Sequence, residues 1–456
     1  MHDLDIIKQL LIDAKASVTS EYKQTEAGII PEDWKVYYLK DVIDTCSSGA
    51  TPYRGVSKYY KGAIHWITSG ELNYCVINDT IEKISDEAVR KTNLKIHPAG
   101  TFLMAITGLE AAGTRGACGI VGKPSTTNQS CMAIYPNSKL DSNYLYHWYV
   151  YNSDTLAFKY CQGTKQLSYT ASLIKRIPIA LPSSIKEQKT IANVLGDIDN
   201  FIFKIKKFIN KKQAIKIATM QQLLTGKTRL QQFTLRDDGT SKGYKKSELG
   251  RIPEDWTVTL LNDVIDSCSS GATPYRGISE YYKGNNRWIT SGELNYCVIN
   301  DTIEKISDGA IKDTNLKIHP SGTFLMAITG LEAAGTRGAC GIVGRPSATN
   351  QSCMAIYPNI KLDSNYLYHW YVYSGDALAF KYCQGTKQLS YTAGLIRKIQ
   401  LFLPTDKKEQ AAIATILSDM DKDIQTLQQR LEKTRQLKQG MMQELLTGKT
   451  RLIERN

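Results

Sequence analysis

The chain has 456 residues, enough for several cores, and a net charge of +13 with 26 tyrosines against 9 phenylalanines, a basic and hydrogen-bonding surface that suits polyanionic partners. Its 10 cysteines form no CxxC pair, which argues against a zinc ribbon or knuckle and predicts thiols acting as small buried hydrophobes in a reducing cytoplasm. No apolar run reaches the roughly 18 residues that a membrane span requires.

Taken in order, residues 1–20 place Leu4, Ile7, Leu10, Leu11 and Ala14 at helical spacing, predicting a short amphipathic helix. A globular part runs from about Gly28 to Pro182. Ile30-Pro31-Glu32-Asp33-Trp34 reads as an extended entry with a buried tryptophan, and Ser48-Gly49-Ala50-Thr51-Pro52 as a turn. Strands are predicted at residues 64–67, 101–107, 119–121 and 132–135 and helices at 86–92 and 142–160, an α+β mixture. From Ile185 to Leu224 the apolar residues Ile191, Leu195, Ile198, Ile202, Ile205 and Ile209 alternate steps of four and three, the seam of a coiled coil. Lys212 and Lys216 take the next expected positions, and the stripe resumes at Ile215, Met220 and Leu223. A helix of that length would span roughly 60 Å and needs a partner. The run from Lys408 to Leu446 supplies one, through Ile413, Leu417, Met420, Ile424, Leu427, Leu431, Leu437, Met441 and Leu445.

The chain is one unit written twice. A single offset carries Gly28 onto Gly250, Pro31-Glu32-Asp33-Trp34 onto Pro253-Glu254-Asp255-Trp256, and Leu224-Thr225-Gly226-Lys227 onto Leu446-Thr447-Gly448-Lys449. The expected divisions are an N-terminal helix at 1–21, globular domains at 22–183 and 250–405, long helices at 184–230 and 406–456, and a polar linker at 231–249.

Gly226-Lys227-Thr228 lacks the earlier glycine of a phosphate loop and follows a helix, so it reads as a helix C-terminal cap. The run Gly108 to Gly119 combines backbone freedom with Arg115, a candidate for a guanine edge or a phosphate. Gly163-Thr164-Lys165-Gln166-Leu167-Ser168-Tyr169 gathers a cation, an amide and hydroxyls usable on phosphates or bases; for both loops a plain structural turn is the alternative. His65, His97 and His147 are scattered, and Arg287 stands where the second copy would repeat His65, which argues against a shared metal or triad role. Asp197, Asp199 and the lysines 204, 206, 207, 211, 212 and 216 read as solvated helix faces, the lysines also as candidates for DNA phosphates. No Pro-Pro pair occurs, so the adenine-binding tetrad of a DNA methyltransferase is missing.

Together these features resemble the specificity subunits of type I restriction-modification systems. The resemblance rests on Gly28-Ile29-Ile30-Pro31-Glu32-Asp33-Trp34, Trp66-Ile67-Thr68-Ser69-Gly70-Glu71-Leu72, Thr127-Asn128-Gln129, Gly163-Thr164-Lys165-Gln166 and Lys186-Glu187-Gln188, all recurring in the second copy. It implies an α+β fold of two target recognition domains separated by two long antiparallel coiled-coil helices, a pseudo-two-fold internal repeat. It also implies a subunit without catalysis, cofactor or metal. Its partners would be double-stranded DNA, two modification (methyltransferase) subunits and restriction/translocase subunits, with no membrane. DNA contact carries over to Thr68, Ser69, Gly70, Glu71, Thr107, Gly108, Arg115, Gln129, Lys165 and Gln166. The second-copy mates are Thr290, Ser291, Gly292, Glu293, Thr329, Gly330, Arg337, Gln351, Lys387 and Gln388.

Members of that family usually carry dissimilar recognition domains. Here the candidate loops are the same in both copies, so the expected site is an interrupted palindrome. The copies differ at Ala63-Ile64-His65 against Asn285-Asn286-Arg287, Lys58 against Glu280 and Lys91 against Asp313. The rival readings are a DNA methyltransferase or fused restriction-methylation enzyme, and a coiled-coil adaptor for protein partners.

Overall fold

A computed structural model describes residues 21–109, 116–161, 167–331, 336–383 and 389–452. The amphipathic helix expected at 1–21 therefore lies essentially outside the described residues, as do Arg115, Lys165, Gln166, Lys387 and Gln388. The chain divides into two compact units: residues up to 206 with those from 430 onward, and residues 207–429. Each unit holds one α+β domain and half of each long helix.

In the first unit the domain is built on a five-stranded sheet in the order Ile43–Ser48, Cys131–Pro136, Phe102–Ala105, Cys118–Val121, Cys75–Ile77. Its pairings are antiparallel except the last. The helix Ser142–Tyr160, capped by the Asp141 carboxylate on the N–H groups of Asn143 and Tyr144, packs against it, with the Tyr149 ring edge-on to Phe102 at 5.5 Å. A smaller sheet, Ser125–Thr127, Ile64–Ile67 and Lys83–Ile84, joins the helix Asp86–Thr92 around Trp66, Ile84 and Ala88. Trp34 is fully buried, as its place in the entry segment predicts. The second unit repeats this plan from the hairpin Tyr244–Ser247 with Gly250–Pro253. Part of the stretch expected as linker is thus strand, and Leu235 bridges Ser241 within the rest.

The long helices are Ile185–Leu224 and Lys407–Leu446. In the first unit Ile191, Leu195 and Ile198, at the head of the first helix, share a core with Met441 and Leu445 at the tail of the second, so the two run antiparallel. In the second unit Met220 and Leu223 share a core with Ile413 and Leu417 in the same sense.

Three expectations need correction, and one strand had not been foreseen. Ile215 is 43% exposed, because the seam passes through Lys212 and Lys216, which reach Asp423 and Asp421 on the opposing helix. Asp199 is no solvated face: Lys438 donates to both its oxygens at 2.6 and 2.8 Å. Cys75 and Cys297 are exposed thiols, whereas Cys118, Cys131, Cys340 and Cys353 are buried as expected. The sheet strand Ile43–Ser48, with only one buried residue, has no clear alternation to announce it. Gly226 does cap its helix, at φ +69, with its N–H on the Leu223 carbonyl at 3.3 Å.

Candidate nucleic-acid interface

The strands Ile64–Ile67 and Ser125–Thr127 run parallel with Thr127 beside Ile67, and the Asn128 N–H continues the ladder to the Ile67 carbonyl at 2.9 Å. Thr68 and Gln129 consequently emerge near each other at the carboxyl ends of the two strands. Thr68 opens the single turn Ser69–Glu71, and the Thr-x-x-Glu spacing lets the Glu71 carboxylate turn back on it. Glu71 Oε2 accepts from the N–H and hydroxyl of Thr68, each at 2.8 Å, and Oε1 accepts from the Ile81 N–H at 2.8 Å. Glu71 therefore joins two loops and positions Thr68, while Gly70 stands exposed at the turn.

Gln129 is exposed, and its amide oxygen accepts from the Thr51 hydroxyl at 2.6 Å. A primary amide fixed in this way keeps two N–H donors for an acceptor outside. The loop carrying Thr51 lies tight on the strand end. A Cβ on Gly49 would stand 1.8 Å from the Thr127 carbonyl oxygen, which only glycine avoids. The Ala50 N–H donates to that same oxygen at 3.1 Å, and the Trp66 indole donates to the Ala50 carbonyl at 3.1 Å. Beneath them His97 bonds through Nε2 to the Thr127 hydroxyl at 3.1 Å. Burial pushes its imidazole down to about 4, so it is neutral at physiological pH and serves as a brace.

The Ile106 N–H donates to the Ser130 carbonyl at 2.9 Å, Thr107 bridges Ser168, and the Tyr169 N–H donates to the Ile106 carbonyl at 2.9 Å. Thr107, Gly108 and the segment after residue 166 thereby join the edge that holds Gln129. Gly108 takes φ +73, a conformation that a side chain would strain.

The second domain copies the arrangement. Glu293 holds Thr290 and the Ile303 N–H, Thr273 donates to the Gln351 amide oxygen, and Gly330 has φ +73. Ser291 and Gly292 form the same turn, and Thr329 precedes Gly330. Arg337 is turned onto its own domain: its Nε donates to Asp376 at 2.9 Å, and its guanidinium lies 4.2 Å from the Phe380 ring centre.

Sequence reasoning passed over two arginines that hold the domains to the helices. Arg229 grips Asp255 and Glu409 in one unit, and Arg451 grips Asp33 and Glu187 in the other. Their common place, directly after Gly-Lys-Thr in both copies, was the available signal. Among the described residues no group of three or more acidic, histidine or cysteine side chains could hold a metal ion, and no helix is long and apolar enough to cross a membrane.

A parallel strand pair ending in an amide and a hydroxyl thus recurs in both domains. The chain belongs to the family described as type I restriction modification DNA specificity domain, whose model matches residues 31–216 and 253–436. It is 28% identical over 333 residues to the type I restriction enzyme MjaIX specificity subunit of Methanocaldococcus jannaschii, covering 70% of this chain and 72% of that protein. It is 25% identical over 443 residues to the MjaVIII specificity subunit of the same organism, covering 95% and 97%. The fold is similar to that of the crystallised type I restriction-modification S subunit from M. genitalium, at TM-score 0.60 and 13% identity, covering 94% of this chain and 99% of that one. The chain is thus a DNA-recognition subunit of the type I restriction-modification class and not its catalytic component.

Proposed function

We propose that the chain reads a two-part DNA site, one half by each domain, and directs modification and restriction partners to it in the cytoplasm. The recognition domains are residues 22–183 and 250–405, and the DNA-facing edge of each carries the hydroxyl, amide and glycine groups at 68–71, 107–108 and 129 or their mates. Arg115, Lys165 and Gln166, with Lys387, Gln388 and an Arg337 that DNA draws off Asp376, complete the proposed contact set. The linker 231–249 and the helical stretches 184–230 and 406–456 hold these readers, and two methyltransferase subunits dock on the assembly.

The observation that carries this reading is the residue-for-residue identity of the two edges, including Glu71 and Glu293 in the same positioning role. Equal readers select equal half-sequences. Each unit pairs the head of one long helix with the tail of the other, an exchange that favours inverted over direct halves. The base preference resides in groove-edge contacts, and the basic surface supplies salt-dependent affinity.

Sequencing the methylated bases of a host that carries the system tests this. An interrupted motif with inverted, matching halves is expected. A motif with unrelated halves, or one without an unspecified spacer, would overturn the proposal.

A further inference from the structure

Two large apolar side chains stand exposed on the proposed DNA-facing edge, on loops whose backbones are held in place. Ile81 is 89% exposed. Its N–H is held by Glu71, and its loop is closed by the Thr80 hydroxyl on the Glu82 carbonyl at 2.7 Å and the Thr80 N–H on Asp79 at 3.0 Å. Tyr53 is 74% exposed. The Val56 N–H returns to the Tyr53 carbonyl at 3.2 Å, and the ring lies so close over Gly55 that a Cβ there would stand 2.6 Å from it. The neighbours of these residues tie the two loops together: Arg54 donates to both Glu82 oxygens at 2.6 and 2.8 Å, with its guanidinium 4.3 Å from the Tyr60 ring centre.

Tyr275 and Ile303 repeat the pair at 74% and 89% exposure, tied by Arg276 and Glu304. An isolated exposed apolar residue is ordinary. A pair on held loops, present in both domains and built on the bonds that orient the polar candidates, is not. Glu71 holds both Ile81 and Thr68, and the loop of Tyr53 carries Thr51, which holds Gln129.

We propose that Ile81 and Tyr53, with Ile303 and Tyr275, contact bases by covering a thymine methyl group in the major groove, Ile81 making the principal contact. The inference rests on the DNA-reading function proposed above. The thymine methyl is the apolar feature of the major-groove code, and it lies among acceptors that an amide donor such as Gln129 can reach. Phosphates call for donors and cations, which an isoleucine does not offer.

The test uses the full chain with its modification subunits and the duplex that this complex selects, with each thymine in turn replaced by deoxyuridine. Removing one buried methyl should weaken binding about fourfold at one position in each half. Ile81→Ala with Ile303→Ala should bind the thymine and uracil duplexes equally, while Ile81→Val with Ile303→Val retains the preference. A selected site indifferent to uracil at every position, or alanine variants that still discriminate, would overturn this inference alone. So would alanine variants that bind DNA normally but lose the modification subunits, since the pair would then be a protein-docking surface. A complex that selects no sequence at all would overturn the DNA-reading proposal itself, and this inference with it.

Discussion

Arg451 and Asp33 form a two-bonded pair, Nη1 to Oδ1 at 2.7 Å and Nη2 to Oδ2 at 2.9 Å, and the other edge of the same guanidinium holds Glu187. The segment just beyond the second long helix is thereby fastened to the entry of the first domain and to the head of the first long helix. The planar fork serves two carboxylates at once, a geometry that lysine cannot supply. Arg451→Ala leaves the Glu187 side chain, 5% exposed, without its counter-charge. The expected cost is about 3–5 kcal/mol, read as a lower urea midpoint, with Arg451→Lys recovering only part. Arg229→Ala should do the same through Glu409, whose side chain is 1% exposed. Midpoints equal to the parent's would show that these arginines are ornaments of the surface.

Asp199 and Lys438 face each other in the helix seam, and Asp421 and Lys216 repeat the pair. Burial raises the Asp199 carboxyl above its usual range, and Lys438 only partly opposes this. A raised folded-state value means that ionisation opposes folding at neutral pH, and that this penalty fades as acid protonates the group. Lys438→Met should therefore destabilise by about 1–3 kcal/mol at pH 7, less at pH 5, while adding Asp199→Asn restores most of the loss. A double-mutant cycle in urea measures the coupling, and additive single effects would contradict it.

The four buried histidines set an acid limit on stability. Burial lowers His97 and His319 to about 4, aided by Lys95 and Lys317, and His147 and His369 to about 3, aided by Lys438 and Lys216. Their unfolded imidazoles titrate near 6.5. Between those values the unfolded chain binds more protons, so stability is full above about pH 6.5 and falls as pH drops toward 4. Each histidine accounts for roughly 3–5 kcal/mol, the two lowered to about 3 losing theirs over a window that extends to that pH. His97→Gln with His319→Gln should flatten the slope of the urea midpoint against pH. An unchanged slope would mean that these imidazoles protonate in place.

Periodicity and duplication made the long helices, the repeat and the capping Gly226 legible, because each is a local pattern. Asp199 was misread because a charge on an amphipathic helix is ordinarily solvated; its partner lies on the other helix, and spacing along one helix does not reveal it. Arg451 meets Asp33 only across nearly the whole chain length, so neither residue announces the other. At the candidate site, resemblance to a family singled out Thr68 and Gln129, and the fold brings them to neighbouring strand ends. Glu71 stands in the same motif, and its bonds to Thr68 and to the Ile81 N–H could be found only in the fold. Ile81 and Tyr53 left no trace in the sequence, since only the bonds around them distinguish an exposed residue on a held loop from an incidental one.

Gln129 offers the sharpest test of the polar half of the edge. With Thr51 fixing its amide oxygen, Gln129 keeps two N–H donors, and in the proposed DNA-reading role a good contact to a base would discriminate by about 1–3 kcal/mol. Gln129→Ala with Gln351→Ala should relax the preference at one position in each half while leaving the salt dependence of binding nearly unchanged, because no phosphate charge is lost. Thr51→Val with Thr273→Val should give a smaller relaxation at that same position, since the amide remains but turns more freely. Binding of the full chain and its partners to a randomised-site library reads both effects. Variants that weaken every sequence equally and reduce the salt slope would reassign Gln129 to the phosphate backbone.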